Sequence, residues 1–263
     1  MGKIRYAMAL VWLCIATQNV QAQFYEITYK TTYKPRVNDS LSVTDHYVLK
    51  INAEKRESLF TALTSENALN LSIYKNFSSA RFIKYESILD QLYKSTYLFD
   101  GQKWQLSEGG KPVNGYSCRK AFVYFGGRQW EAWYTAEIPF QEGPYKFTGL
   151  PGLILEIYSL DGDYHFTAAA IEKKLHSSIA ELKAIPFANP EKEKEYKLEV
   201  INDPAAQYRR QLAQLKSNGL GVTVSFNGKE ITQKETENRI ITEFKLWMDQ
   251  HDNPIEKGDL WLK

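Results

Sequence analysis

Cysteine is nearly absent from this chain. Its 263 residues include two, Cys14 and Cys118, and Cys14 falls inside an apolar N-terminal run. A chain left with one cysteine has no intramolecular disulfide and no paired-cysteine spacing for zinc. Histidine is also scarce. His46, His165, His176 and His251 stand in no metal-ligand spacing, and no Gly-x-Ser-x-Gly nucleophile elbow accompanies them. There is no phosphate loop and no dinucleotide fingerprint: Gly149 and Gly152 are too close together and precede a strand pattern rather than a helix. Charge of one sign is missing as well. The formal net charge is +2, so nothing calls for nucleic acid or an anionic membrane surface. Beyond the N-terminus no apolar run approaches the roughly 20 residues a membrane-crossing helix needs.

The N-terminus is the clearest statement of destination. Lys3 and Arg5 precede the apolar residues 7–16, and Val20-Gln21-Ala22 forms a small-x-small cleavage site. Residues 1–22 therefore read as a secretory signal peptide. Leu13 before Cys14 is not the small residue that a lipid-anchored leader wants. Removal of Lys3 and Arg5 takes the net charge to zero. Residues 23–263 then form one domain of an exported protein, periplasmic or associated with the outer envelope. Cys118, unpaired in an oxidising compartment, reads as a small buried apolar side chain.

Aromatic residues are plentiful: 17 Tyr, 13 Phe and 6 Trp, types that favour pleated, half-buried surfaces. Residues 24–34 alternate cleanly, with Tyr25, Ile27, Tyr29, Thr31 and Tyr33 on one face, the period of a strand. Residues 42–51 repeat the device with Val43, Asp45, Tyr47, Leu49 and Ile51, Asp45 being placed in solvent near the strand start. Residues 56–63, 71–77 and 81–85 read as further strands, and 86–94 as either a short helix or a strand. Asp100-Gly101, Gly126-Gly127, Asp161-Gly162 and Asn227-Gly228 read as hairpin turns. Helix enters late. Residues 176–182 suggest a short turn, 189–196 a solvated loop or helix start, and Asp203-Pro204 an N-cap with proline at the first helical position. Residues 236–248 carry a second apolar stripe. The fold class is mainly β: a single antiparallel β domain, curved into an open or partly closed barrel, with one or two helices packed on it.

The chain is organised around residues 143–157, where glycines and prolines run into a branched apolar strand. Gly149-Leu150-Pro151-Gly152-Leu153-Ile154 resembles the motif of the GLPGLI, or Porph_ging, family of exported bacterial proteins. The resemblance extends to Gly115-Tyr116-Ser117-Cys118, Gly127-Arg128, Trp133-Tyr134-Thr135, Glu137-Ile138-Pro139, Gly143-Pro144, Glu57-Ser58-Leu59-Phe60 and Asn253-Pro254-Ile255-Glu256. It implies an exported protein of unknown function and brings no catalytic residues.

The residues themselves give no catalytic set, metal site or cofactor. Asp161, Asp163 and His165 alternate as ligands would, but Asp161-Gly162 reads first as a turn. Glu156 interrupts the apolar run 153–157 and faces water or a cavity, opposite Leu153, Leu155 and Ile157. The expectation is a non-catalytic binding or carrier protein. Trp130, Trp133, Tyr134 and Phe147 would line a groove for an apolar small molecule or an envelope protein partner. An exported hydrolase built on Cys118 or a carboxylate pair, and an assembly factor without a small ligand, are the alternatives.

Overall fold

The computed structural model describes residues 24–64, 69, 71–89, 91–175 and 177–260; the leader read in residues 1–22 lies outside them. Six consecutive strands form a first meander: β1 (Phe24–Tyr33), β2 (Val43–Asn52), β3 (Glu57–Ala62), β4 (Leu71–Asn76), β5 (Arg81–Ile88) and β6 (Gln91–Leu98). Five more form a second: β7 (Gln105–Val113), β8 (Tyr116–Phe125), β9 (Arg128–Thr135), β10 (Leu153–Ser159) and β11 (Tyr164–Lys174). The two meanders join edge to edge where β1 pairs with β11 along its whole length, from Phe24 opposite Lys174 to Tyr33 opposite Tyr164. The short β12 (Ile185–Pro186) adds in parallel to β6. Among the described residues this makes one twelve-stranded sheet in the order β12-β6-β5-β4-β3-β2-β1-β11-β10-β9-β8-β7, whose two ends do not pair. It is mainly antiparallel β, as the alternation predicts, and it is not a closed barrel.

The side chains predicted inward on β1 and β2 form the core. Ile27, Tyr29, Tyr47 and Leu49 are fully buried with Phe60, Trp130, Phe147, Ile157 and Phe166. Asp45 departs from expectation. Its neighbours on that face are the core residue Tyr47 and the partly buried Val43 packed against the core, so it is 7% exposed rather than solvated, and its Oδ2 has no hydrogen-bond partner. Burial raises its carboxyl pKa, the normal response of an acid to lost hydration.

Residues 86–88 and 91–94 resolve as strand, β5 running on to Ile88 before the turn at Leu89. The Asp100-Gly101 hairpin does not form. β6 and β7 stand near opposite ends of the sheet, so residues 99–104 carry the chain from one end towards the other. Trp104 at the end of that passage donates from Nε1 to the Thr148 carbonyl at 2.8 Å. The other three turns do close hairpins. Both sheet ends carry devices that blunt an edge. β7 has a bulge between Ser107 and Gly110 and contains Pro112; β12 is two residues long and includes Pro186.

Three helices follow, α1 (Pro190–Asn202), α2 (Ala206–Ser217) and α3 (Gln233–Gln250), with the hairpin β13 (Val224–Phe226) and β14 (Lys229–Ile231) before the last. α1 occupies the stretch read as a loop or helix start: Asn189 caps it by accepting from Lys192 N at 2.9 Å, and Pro190 holds the first turn. Asp203 is the C-cap of α1, not the N-cap of α2. The latter is Ala205, with no side-chain cap. The helical turn expected at 176–182 is absent from 177–182. That stretch has no regular secondary structure, and its Ile179 and Leu182 cover a second apolar cluster of Leu59, Tyr74, Ile83 and Tyr85. A third cluster, Ile88, Tyr93, Val200, Phe244 and Met248, fastens α1 and α3 to β5 and β6. No described helix is long and apolar enough to cross a membrane.

Candidate functional site

The glycine-proline stretch is a junction between segments far apart in sequence. Gly152 (φ +148°) lies against the end of β9 so closely that a Cβ would sit 2.0 Å from the Thr135 carbonyl oxygen. Gly143 lies under Ile154, where a Cβ would come within 2.8 Å of Cδ1. The Tyr29 hydroxyl donates to the Ile154 carbonyl at 2.5 Å. Beside it the fully buried Lys75 meets Glu142 at 2.7 Å and the Gly143 carbonyl at 3.1 Å. Burial lowers the Lys75 pKa and Glu142 partly restores it.

The same junction clamps the C-terminal segment. The buried Arg128 guanidinium reaches Asp161 at 2.5 Å and Asp163 at 2.8 Å. It also donates to the Ile255 carbonyl at 3.1 Å, the Pro254 carbonyl at 3.0 Å and the Asn253 side chain. The alternating Asp161 and Asp163 are thus arginine partners in a turn. Burial pushes the Asp161 carboxyl up, but hydrogen bonds from Ser159 and Lys257 and the Arg128 charge outweigh it and hold it at about 2. Gly126 and Gly127 lie directly under Glu256 and Lys257. Tyr145 and Lys146 both hold Glu256, Lys146 at 2.5 Å.

This clamp forms one wall of a cavity of about 620 Å³. Its other walls are Lys84 of β5, the first turns of α1 and residues 257–260. Two lysines there share three carboxylates. Lys84 reaches Glu86 at 3.1 Å, Glu193 at 3.0 Å and Asp259 at 3.7 Å. Lys197, 2% exposed, reaches the same groups at 2.8, 3.2 and 2.9 Å. For Glu193, burial is outweighed by Lys84, Ser95 and Lys197, and its pKa falls to about 2. The Lys84 pKa is raised well above the usual value: burial lowers it, and Glu86, Asp259 and Glu193 more than compensate. An adjoining recess of about 190 Å³ is bordered by Lys84, Lys146, Glu193 and Tyr97. Sequence reading did not single out these residues. The signals present were a shared strand face for Lys84 and Glu86, and an i, i+4 Glu193–Lys197 pair on α1.

A second concavity, about 500 Å³, lies between the β5–β6 turn and helices α2 and α3. Ile88, Leu89, Tyr208, Ile240, Phe244 and Trp247 give it an apolar lining, and Gln91, Gln207, Gln211 and Glu243 supply polar groups.

The four aromatic residues singled out in the sequence lie elsewhere. Trp130 and Phe147 are fully buried and pack edge to face at 4.7 Å; Tyr134 is 2% exposed. Trp133, 9% exposed, lies under the Lys111 ammonium at 4.5 Å. None of the four borders either concavity. Next to Trp133 on the neighbouring strand, Glu156 pairs with His165 at 2.8 Å and with Lys111. The His165 hydrogen bond, opposed by burial and aided by Lys111, lowers its pKa. Cys118 is 1% exposed, and burial pushes its thiol up to about 11, far from a nucleophilic thiolate. Among the described residues no group of three or more His, Cys, Asp or Glu side chains is placed to hold a metal.

Residues 127–156 match the family model described as a protein of unknown function, Porph_ging, so the resemblance read from the motif is shown over that segment. No curated protein matches the chain. Two structures of PNGF-II, in space groups C2 and P21, are similar over 66% of this chain, with TM-scores of 0.50 and 0.51 and identities of 16% and 17%. The likeness spans 32% and 33% of the PNGF-II chain, about a third of its length, and concerns the fold alone. An uncharacterized conserved protein from Thermus thermophilus aligns over 64% of this chain and 91% of its own, at 11% identity and a TM-score of 0.39, too low to bear on the argument.

Proposed function

We propose that this chain, whose motif segment matches the Porph_ging family, is an exported, non-catalytic binding protein of the cell envelope that carries an apolar small molecule in the groove between β5–β6 and helices α2 and α3. The observation that carries the reading is the groove itself: about 500 Å³, lined by six large apolar side chains with five polar ones among its residues. Small-molecule sites are concavities of roughly 300–1,000 Å³ with that division of labour. The edges blunted by Pro112 and Pro186 give less support to a partner that adds a strand. Cys118, buried and with a raised pKa, gives none to a thiol hydrolase. The leader pattern in residues 1–22 supports export.

Native mass spectrometry of the mature chain purified from its own envelope is expected to show an added mass that disappears on denaturation. In vitro, a fluorescent fatty acid is expected to bind saturably, and Ile240→Asp to abolish that binding while the melting temperature stays within a few degrees of the parent. A bare polypeptide mass together with no saturable binding of the alkyl probe would overturn the proposal.

A further inference from the structure

The charged cavity holds a lysine in unusual company. Lys146 lies at the rim shared by the 620 Å³ cavity and its 190 Å³ recess, with its side chain 13% exposed. Its Nζ is 2.5 Å from Glu256 Oε1 and stands over the Tyr97 ring at 4.8 Å and the Tyr145 ring at 5.4 Å. Tyr97 borders the same recess, and its hydroxyl is buried without a hydrogen-bond partner. A buried, unpaired hydroxyl is costly and stands ready to donate to an incoming oxygen. The other lysines of the site are committed otherwise. Lys84 and Lys197 are held by three carboxylates each, and those carboxylates raise the Lys84 pKa well above its usual value. Lys146 has one carboxylate, which Tyr145 shares.

We propose that Lys146 is the amine of a carbonyl-binding site, forming a reversible imine with a small aldehyde or 2-oxo acid admitted through the 620 Å³ cavity. Imine formation needs an unprotonated amine, a group that takes protons from nitrogen and a group that delivers one to oxygen. Lys146, Glu256 and Tyr97 fill those roles in turn. The Nζ lone pair forms the C–N bond as the C=O π bond opens, and the resulting oxygen is protonated. Glu256 relays one proton from nitrogen to the carbinolamine hydroxyl, the C–O bond breaks as water leaves, and the second nitrogen proton returns to Tyr97. Lys–NH₂ and R₂C=O become Lys–N=CR₂ and H₂O, with no oxidant or second reactant. The charged groups facing Lys146 are Glu256, Lys84 and Asp259, with Tyr97 and Tyr145 as neutral neighbours. Burial lowers the Lys146 pKa, Glu256 raises it and Lys84 lowers it again, for a net depression. Burial raises the Tyr97 pKa and keeps its proton in place for donation. This site is separate from the apolar groove and does not depend on it.

The test is reductive trapping on the mature chain. Glyoxylate is added at neutral pH, the adduct is fixed with cyanoborohydride, and peptide mapping locates the added mass. Lys146 is expected to label first, to about one equivalent, before the exposed Lys192 and Lys194. Tyr97→Phe, which keeps the ring against Lys146, is expected to slow labelling at Lys146 by at least about tenfold, the low end of what a positioned acid supplies, without slowing the exposed lysines. Labelling spread over exposed lysines with Lys146 late or absent would overturn the proposal. So would an unchanged rate at Lys146 in Tyr97→Phe. Mapping of the parent protein gives the primary answer without relying on any variant to fold.

Discussion

Gly152 shows what a single residue contributes in this molecule. A Cβ at its position would overlap the Thr135 carbonyl oxygen at 2.0 Å, and backbone cannot step aside as a flexible side chain can. Gly149 differs: its φ is +94° but a Cβ would meet only Trp104 Nε1 at 3.9 Å. Gly152→Val is expected to cost on the order of 4 kcal/mol or more, in the range of exceptional substitutions. Gly149→Val is expected to cost about 1–2 kcal/mol, from left-handed backbone strain alone. Both should exceed Cys118→Ala in denaturant unfolding; if Gly152→Val melts with the parent, the close approach of β9 and the motif is wrong. The need for glycine was legible in the punctuation of residues 143–152. Which backbone stood opposite was not, because Thr135 approaches only once β9 and β10 pair. Arg128 makes the same point. Its five partners come from residues 161, 163 and 253–255, and nothing local announces a buried arginine.

At the scale of elements, turns were readable, and caps and burial were less so. α3 begins with Thr232 accepting from Glu235 N while the Glu235 side chain reaches back to the Thr232 amide, a reciprocal pair that satisfies two otherwise unpaired donors. Thr232→Ala is expected to lower stability by about 1 kcal/mol, measured by urea unfolding. Because α3 borders the apolar groove, the variant should also weaken alkyl-probe binding. α1 was hidden for a physical reason. Its inward face includes Lys197, 2% exposed, where an apolar stripe would normally place an aliphatic side chain. The lysine is tolerated because Glu86, Glu193 and Asp259 surround it, and two of those three come from outside the helix. Hydrophobic periodicity therefore registers α1 as a solvated, charged segment.

For the whole molecule, ion pairs hold the helices and the C-terminal segment to a sheet whose core is aromatic. Glu193 and Asp161 have pKa values of about 2 against 4.5 and 3.8 unperturbed, and the Asp259 pKa is lowered too, with Lys84 and Lys197 outweighing burial. Carboxylates with depressed folded-state values bind fewer protons than in the unfolded chain. Their stabilisation is complete above the unfolded pKa and disappears as pH falls through the folded one. The melting temperature is therefore expected to drop most steeply between about pH 4.5 and pH 2. Glu193→Gln should flatten that drop while lowering the plateau at neutral pH. A parent profile that stays flat down to pH 2 would contradict the proposed role of the cluster.

The sequence by itself determined the antiparallel β class, the limits of most strands, three of the four expected hairpin turns and the segment that carries the family match. These depend on period-two alternation and on backbone preferences of glycine, asparagine and aspartate, which act within a few residues. Tertiary structure decided the rest. It alone joined β1 to β11 and so made one sheet of two meanders, parted the expected strands around Asp100-Gly101, put Trp130, Tyr134 and Phe147 inside the core, and gathered Lys84, Lys146, Lys197, Glu256 and Asp259 around one cavity. Such contacts join residues tens to more than a hundred positions apart. A charge on a strand or helix carries no mark of whether its partner will be water or a side chain brought in from the far end of the chain.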